Sequence, residues 1–283
     1  MIKKRHLLIN SAKSIAALPL LSSCAVGGNW PSDKNDARWL AGGTKSMQAA
    51  FPPVNVPFNT DSCKLTQETG VGPCYFDNVT TADDISEGQP GVPMVVALKF
   101  VKENCEPIEE GALVEVWWAD CKGVYSADIS DSSNGTTSEQ FTGDRDIEVE
   151  GGVPPFFAET CALLAGGNNE EALETKWFRG KKLTNADGCV YFKGCFPGWY
   201  ARRAAHIHLR VIRLDGTSYD TQLGFGEELT SSIYLRHPDY TGINQDTSND
   251  VDPWFARLTP GGNILDSLRQ SDGSMVSYKT LTI

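Results

Sequence analysis

The chain has 283 residues, 40% hydrophobic and 22% charged, which are ordinary globular proportions that exclude wholesale disorder, a collagen-like rod and a coiled coil. Its 36 acidic residues against 25 basic ones give a net charge of −11, so its surface repels phosphate backbones, and neither nucleic acid nor an anionic membrane surface is expected as a partner.

The first segment differs from the rest. Lys3, Lys4, Arg5 and Lys13 carry positive charge with no acid before Asp33, and an apolar run follows over 15–21. These are the basic and hydrophobic regions of an export signal. The Lys4-Arg5 pair ahead of Leu7-Leu8 weakly echoes a twin-arginine signal, and Leu21-Ser22-Ser23-Cys24 resembles a bacterial lipobox, whose cysteine becomes the lipidated N-terminus. The sequence therefore predicts a signal peptide over 1–23, a Gly-, Pro- and Asn-rich lipidated tether over 24–60 with one short helix at 36–50, and a folded domain over 61–283. Cleavage removes four of the 25 basic residues and none of the 36 acidic ones, leaving a net charge of −15. No other apolar run reaches the ~18 residues of a membrane span. Membrane contact is expected only through the acyl group on Cys24, at the cell envelope, facing the bacterial periplasm or the cell surface.

From Cys63 onward the pattern is β. Strand-like runs rich in β-branched and aromatic residues occupy 92–101, 112–118, 189–192, 206–212 and 275–283, with turn signals at 185–188 and 214–216. Between 126 and 152 the chain is polar and aperiodic, which reads as a long loop, and a short helix is expected at 169–176. Many short strands and few helices predict an all-β fold, a sandwich or a barrel. Eight cysteines in an exported chain read as disulfides before metal ligands. With Cys24 acylated, at least one of the other seven stays unpaired. Cys189 and Cys195 are too far apart along an extended segment to join each other.

Two of the four histidines, His206 and His208, are one residue apart inside a strand-like run. Positions i and i+2 of a strand share a face, so both imidazoles stand side by side at a spacing suited to a shared metal. Upstream, a Pro197-Gly198 turn aims Tyr200 toward them, and Tyr125 ends another strand-like run beside the long loop. Two phenols and two imidazoles form a hard-to-borderline set without thiolate, which selects Fe(III) over zinc or Cu(I).

Here the residues reach a resemblance. The segments SCKLTQETGVGPCYFD (62–77), LVEVWWADCKGVYS (113–126), WFRGKKLTNADGCVYF (177–192), PGWYARRAAHIHLRV (197–211) and TQLGFGEEL (221–229) resemble the intradiol ring-cleavage dioxygenases, especially an exported, lipoprotein-type branch. The resemblance implies an antiparallel β-sandwich with long loops, and cleavage of a small catechol-type substrate with O2. It places Tyr125, Tyr200, His206 and His208 on the Fe(III) ligands, with Tyr200 also catalytic, and Arg203 and Gln222 on the active-site arginine and glutamine. Tyr75 falls in a segment that lines or packs the site. The stretch after Tyr125 is long for the family, and Arg202-Arg203-Ala204-Ala205 departs from its usual context. Local Arg202, Arg203 or Arg210 would have to overrule the negative net charge for a carboxylated ring to be attracted. Two other readings fit parts of the sequence: a non-catalytic transthyretin-like binding module, and an exported copper or zinc protein using His206, His208 and His237. The sequence sets no oligomeric state.

Overall fold

The computed structural model describes residues 38–60, 63–72, 74–75, 81–126, 172, 175–200 and 202–283. The signal peptide expected over 1–23, Cys24, the loop expected over 126–152 beyond its first residue, and most of the helix expected at 169–176 lie outside them. Eight strands form where side chains alternate between two faces: β1 Pro93–Val101, β2 Leu113–Trp117, β3 Arg179–Leu183, β4 Cys189–Cys195, β5 His206–Ile212, β6 Ser218–Phe225, β7 Ile264–Arg269 and β8 Met275–Thr282. An α-helix, α1 (Glu227–Arg236), lies between β6 and β7. Its first turn carries Glu227 and Glu228 and its last Arg236, charges that complement the helix dipole, while Thr230, Ile233 and Tyr234 bury one face.

The strands make one sheet in the order β3-β2-β5-β6-β7-β8-β1-β4. The all-β expectation holds, but the antiparallel one is corrected: β1–β8 and β6–β7 are parallel. The reason for β6–β7 is α1 and the long connection after it, which return the chain to the same end of the sheet before β7 begins. The sheet curls until its edge strands approach, Gly180 of β3 lying against Phe192 of β4. The turn at 214–216 joins the antiparallel neighbours β5 and β6 as expected. The signal at 185–188 instead joins β3 to β4, the two ends of the strand order, because each of those strands finds its partner elsewhere.

Inside the curl, Val96, Leu98 and Phe100 of β1, Val114 and Val116 of β2, Phe192 of β4, and Ile207, Leu209 and Val211 of β5 share one core. Outside it, two faces remain to be covered. Over β1 and β8 the cover is the segment expected to be a tether. Met47, Phe51, Val56 and Phe58 pack on Val95, Ala97 and Val276, and the backbone N–H groups of Gln48 and Ala49 donate to Asp272. The compact unit accordingly runs Ala37–Ile283, so the domain boundary falls before residue 60. The helix expected at 36–50 is only a single 3-10 turn, Thr44–Ser46. Irregular backbone carries these apolar contacts, which is why periodicity does not reveal them.

Cys63 pairs with Cys105, Cys74 is also disulfide-bonded, and Cys121, Cys189 and Cys195 are free. Among the described residues no helix is long and apolar enough to cross a membrane.

Candidate metal centre

The second outer face lies over β2, β5 and β6. Cross-strand register places Arg179, Trp117, His208 and Gln222 in one row, from β3 across β2 and β5 to β6. Since the opposite faces of these strands are spent on the core, the polar members point together into the second face. His206 lies two residues before His208 and is buried beside it, their ring centroids 4.9 Å apart.

Two loops bring in the tyrosines. Gly123 and Gly198 let the loops touch: a Cβ on Gly123 would stand 2.2 Å from the Trp199 carbonyl oxygen, and one on Gly198 would stand 2.6 Å from that of Asp120. The Gly198 N–H donates to that Asp120 oxygen at 2.7 Å. This contact sets Tyr125 and Tyr200 face to edge, with centroids 5.8 Å apart.

The four polar ends converge. Tyr125 Oη lies 3.1 Å from His208 Nε2, 3.2 Å from His206 Nε2 and 3.5 Å from Tyr200 Oη, and Tyr200 Oη lies 3.1 Å from His206 Nε2. The opposite ring nitrogens face carbonyls: His206 Nδ1 is 2.6 Å from Ala204 O, and His208 Nδ1 is 3.2 Å from Val71 O. Each Nδ1 therefore carries the proton and donates it, leaving each Nε2 lone pair turned toward the phenols. Donors held ~2 Å from one first-row ion stand roughly 3.3 Å apart, which is the spacing seen. The residues fit a metal ion. Among the described residues no group of three or more His, Cys, Asp or Glu could hold one, so the donor set depends on its tyrosines.

Burial governs the charges. It pushes both phenols up, Tyr125 well above its ordinary value with Tyr200 adding to the effect, while Arg203 works the other way. It also holds His206 and His208 well below theirs, reinforced by Arg203. Without a cation all four donors are neutral at pH 7. A trivalent ion reverses that balance, because phenolate beside it is favoured over an uncompensated charge in a dry site.

Arg203 is fully buried and pinned. Its Nε donates to Asp252 Oδ2 at 2.9 Å, Nη1 lies 3.4 Å from Tyr200 Oη, and Nη2 donates to Gln222 Oε1. Asp252 also accepts the N–H groups of Ala204, Trp254 and Phe255. Gln222 Nε2 is buried with no hydrogen-bond partner among the described residues. Arg202 is exposed, its N–H donating to Asp246, and Arg210 pairs with Asp220 at 3.4 Å and covers the Tyr75 ring. Tyr75 belongs to the wall: its hydroxyl donates to Glu115 Oε2 at 2.8 Å and its ring packs on Trp117. His237 stands outside the set: it is buried, with its Nε2 3.1 Å from the Leu40 carbonyl oxygen.

Sequence reasoning misses Asp252, Trp117 and Arg179. Trp117 stacks on His208 with centroids 4.8 Å apart and planes 6° from parallel. The register partner of an HxH strand is the one signal that leads to it, and that requires knowing which strand lies next door.

No protein-family model matches the chain, and no curated protein matches it. Solved structures do. An intradiol ring-cleavage dioxygenase from Tetranychus urticae superposes with a TM-score of 0.59 at 25% identity, covering 78% of this chain and 95% of that one. The crystal structure of dioxygenase Tetur07g02040 gives 0.58 at 26% identity, covering 78% and 94%. The first of these relatives is an intradiol ring-cleavage dioxygenase and the second a dioxygenase, and dioxygenases are oxidoreductases.

Proposed function

We propose that this chain, which shares the fold of the intradiol ring-cleavage dioxygenases, opens a catechol-type ring between its two hydroxylated carbons. In this reading Tyr125, Tyr200, His206 and His208 hold Fe(III), and both atoms of O2 enter the product, a muconate-type dicarboxylic acid. The carrying observation is the convergence of two phenol oxygens and two imidazole nitrogens within 3.1–3.5 Å. Fe(III), when bound, makes the catechol protons acidic and draws electron density from the ring, so that a ring carbon reacts directly with O2.

The chain's own groups do the rest. Tyr200 Oη, 3.4 Å from Arg203 Nη1, would help hold Fe(III) and is the phenol oxygen placed to take one catechol proton. Arg203, held rigid by Asp252, keeps a fixed positive charge beside the ring oxygens and stabilises the anion that develops there. Gln222 accepts from Arg203 through Oε1 and so offers Nε2–H to a substrate oxygen. Trp117, stacked on His208, keeps water off that imidazole and fixes its plane.

Tyr125→Phe tests this reading. It removes one phenol at nearly constant volume, so iron occupancy and the visible tyrosinate-to-iron band should fall and ring cleavage should drop about 10³-fold. Full colour and turnover in that variant would reject the donor set. If the iron-loaded protein consumes none of catechol, hydroxyquinol or protocatechuate under labelled O2, the binding-module reading gains instead.

We also propose export through the 1–23 leader and anchoring through an acylated Cys24, a reading carried by the basic, apolar and Leu-Ser-Ser-Cys pattern alone. Cys24→Ser should release the protein from the membrane fraction or stall its processing, and unchanged membrane association would reject the anchor.

A further inference from the structure

Arg179 has no role in the reading above, yet it is only 2% exposed. It opens β3 opposite Trp117, which stands opposite His208, so it occupies the same cross-strand row as the candidate centre. Its guanidinium reaches two separate loops. Nε donates to the carbonyl and hydroxyl oxygens of Ser126, both at 3.0 Å, and Nη2 donates to the same carbonyl at 2.5 Å. Nη1 donates to the Cys74 carbonyl at 2.5 Å.

Each of those loops controls one candidate donor. Ser126 is bonded directly to Tyr125 in the chain. Cys74 lies three residues after Val71, whose carbonyl accepts the Nδ1–H of His208. Between them Gly72 presses on the His208 ring so closely that a Cβ there would stand 2.8 Å from Cε1. Cys74 itself holds a left-handed backbone, φ +66°, a conformation a non-glycine residue keeps only where its surroundings impose it.

We infer that Arg179 is a positioning residue, whose one planar guanidinium locks the loop bearing Tyr125 to the loop that orients His208. The inference rests on reading Tyr125 and His208 as metal donors. Its chemistry is specific to arginine: three separated N–H directions reach acceptors on two loops at once, whereas a lysine ammonium is a single point on a flexible stem.

The test is Arg179→Lys in the full chain, with two readouts. The first needs no metal. Amide hydrogen exchange followed by mass spectrometry should accelerate at least tenfold in segments 69–75 and 121–126 while β1 and β8 keep wild-type protection. The second is iron binding by chelator competition, expected to weaken at least tenfold, with kcat for ring cleavage reduced and KM changed less than threefold. Exchange that is unchanged, or faster everywhere alike, would overturn the inference, as would wild-type iron affinity together with a wild-type visible band. If Arg179→Lys does not fold, Ser126→Ala replaces it: that variant loses one acceptor of the fork, and exchange about threefold faster in 121–126 alone is expected, with no change overturning the inference. A wild-type chain that binds no iron would refute the functional reading, and the exchange result would still decide the role of Arg179.

Discussion

The two outer faces of the curled sheet are built alike and filled differently. Over β1 and β8, the irregular stretch from Met47 to Phe58 lays apolar side chains on Val95, Ala97 and Val276. Over β2 and β5, another irregular stretch, around Val71 to Tyr75, covers Trp117, Tyr125 and Tyr200, but beneath it lie His206, His208, Arg179 and Arg203, all buried. The first cover seals. The second closes around groups that water would otherwise solvate, and burying them is expensive unless each polar atom has a partner. The strands supply two equivalent platforms, and the side chains at the outward positions decide which becomes a site.

The largest expected contrast comes from Asp252→Asn. The carboxylate accepts from Arg203, Ala204, Trp254 and Phe255, and neither it nor the Arg203 side chain is exposed. Neutralising it leaves a guanidinium buried without its counter-charge, which costs roughly 3–5 kcal/mol. Denaturant unfolding should show that loss, and ring cleavage should fall with it because Arg203 is no longer held. A variant that stays within about 1 kcal/mol of wild type would mean that the polar face tolerates an unpaired charge, and the comparison of faces would lose its basis.

A second contrast is with pH. His206 and His208 are held well below the ordinary 6.5 by burial, with Arg203 adding to the effect. Their folded-state values are lowered, so below pH 6.5 the unfolded chain binds protons that the folded chain does not. Their contribution is intact above 6.5 and is lost as pH falls beneath it, by up to about 1.4 kcal/mol per histidine for each pH unit. Buried His237, also lowered by burial, adds in the same direction. Metal-free protein at pH 5.5 should therefore be about 3 kcal/mol less stable than at pH 7.5, and replacing both site histidines with Gln should flatten most of that slope. A flat wild-type profile would mean that the imidazoles take up protons as readily in the folded chain as in the unfolded one.

The sequence was most legible where one rule was enough. The run HIHLRVI alternates, is β-branched, and puts two imidazoles on one face whatever lies beside it, so β5 and its histidines follow from period two alone. β3 reads RGKKL, β6 SYDTQLGF and β7 ILDSLR, and in these the residues that face the site or the solvent break the apolar alternation, so they pass for loops. Arg179 is hidden for the same reason: a basic residue in a run with two lysines looks solvated until β2 is known to lie beside it. Asp252 sits 49 residues from Arg203 in a turn, where an aspartate before a proline signals only the turn. The cover at 47–58 is held by scattered apolar residues on irregular backbone, for which no periodicity exists.

Phe58 is part-buried, meets Tyr278 of β8 edge to face at 6.2 Å, and contributes only apolar contact. Phe58→Ala should cost about 1–2 kcal/mol, less than truncation of a fully buried aromatic, since part of its ring is already in water. Because the inner core separates that face from the polar one, iron affinity, visible band, kcat and KM should all stay at wild-type values. The discriminating measurement is the pair of readouts in one preparation: thermal unfolding against the kinetics of ring cleavage. A drop in stability without a kinetic change means the two faces are energetically independent platforms on a shared core. If kcat falls as well, the cover over β1 and β8 reaches the site through the sheet, and the rigidity attributed to Asp252 and the Arg179 fork would be supplied in part by the opposite face.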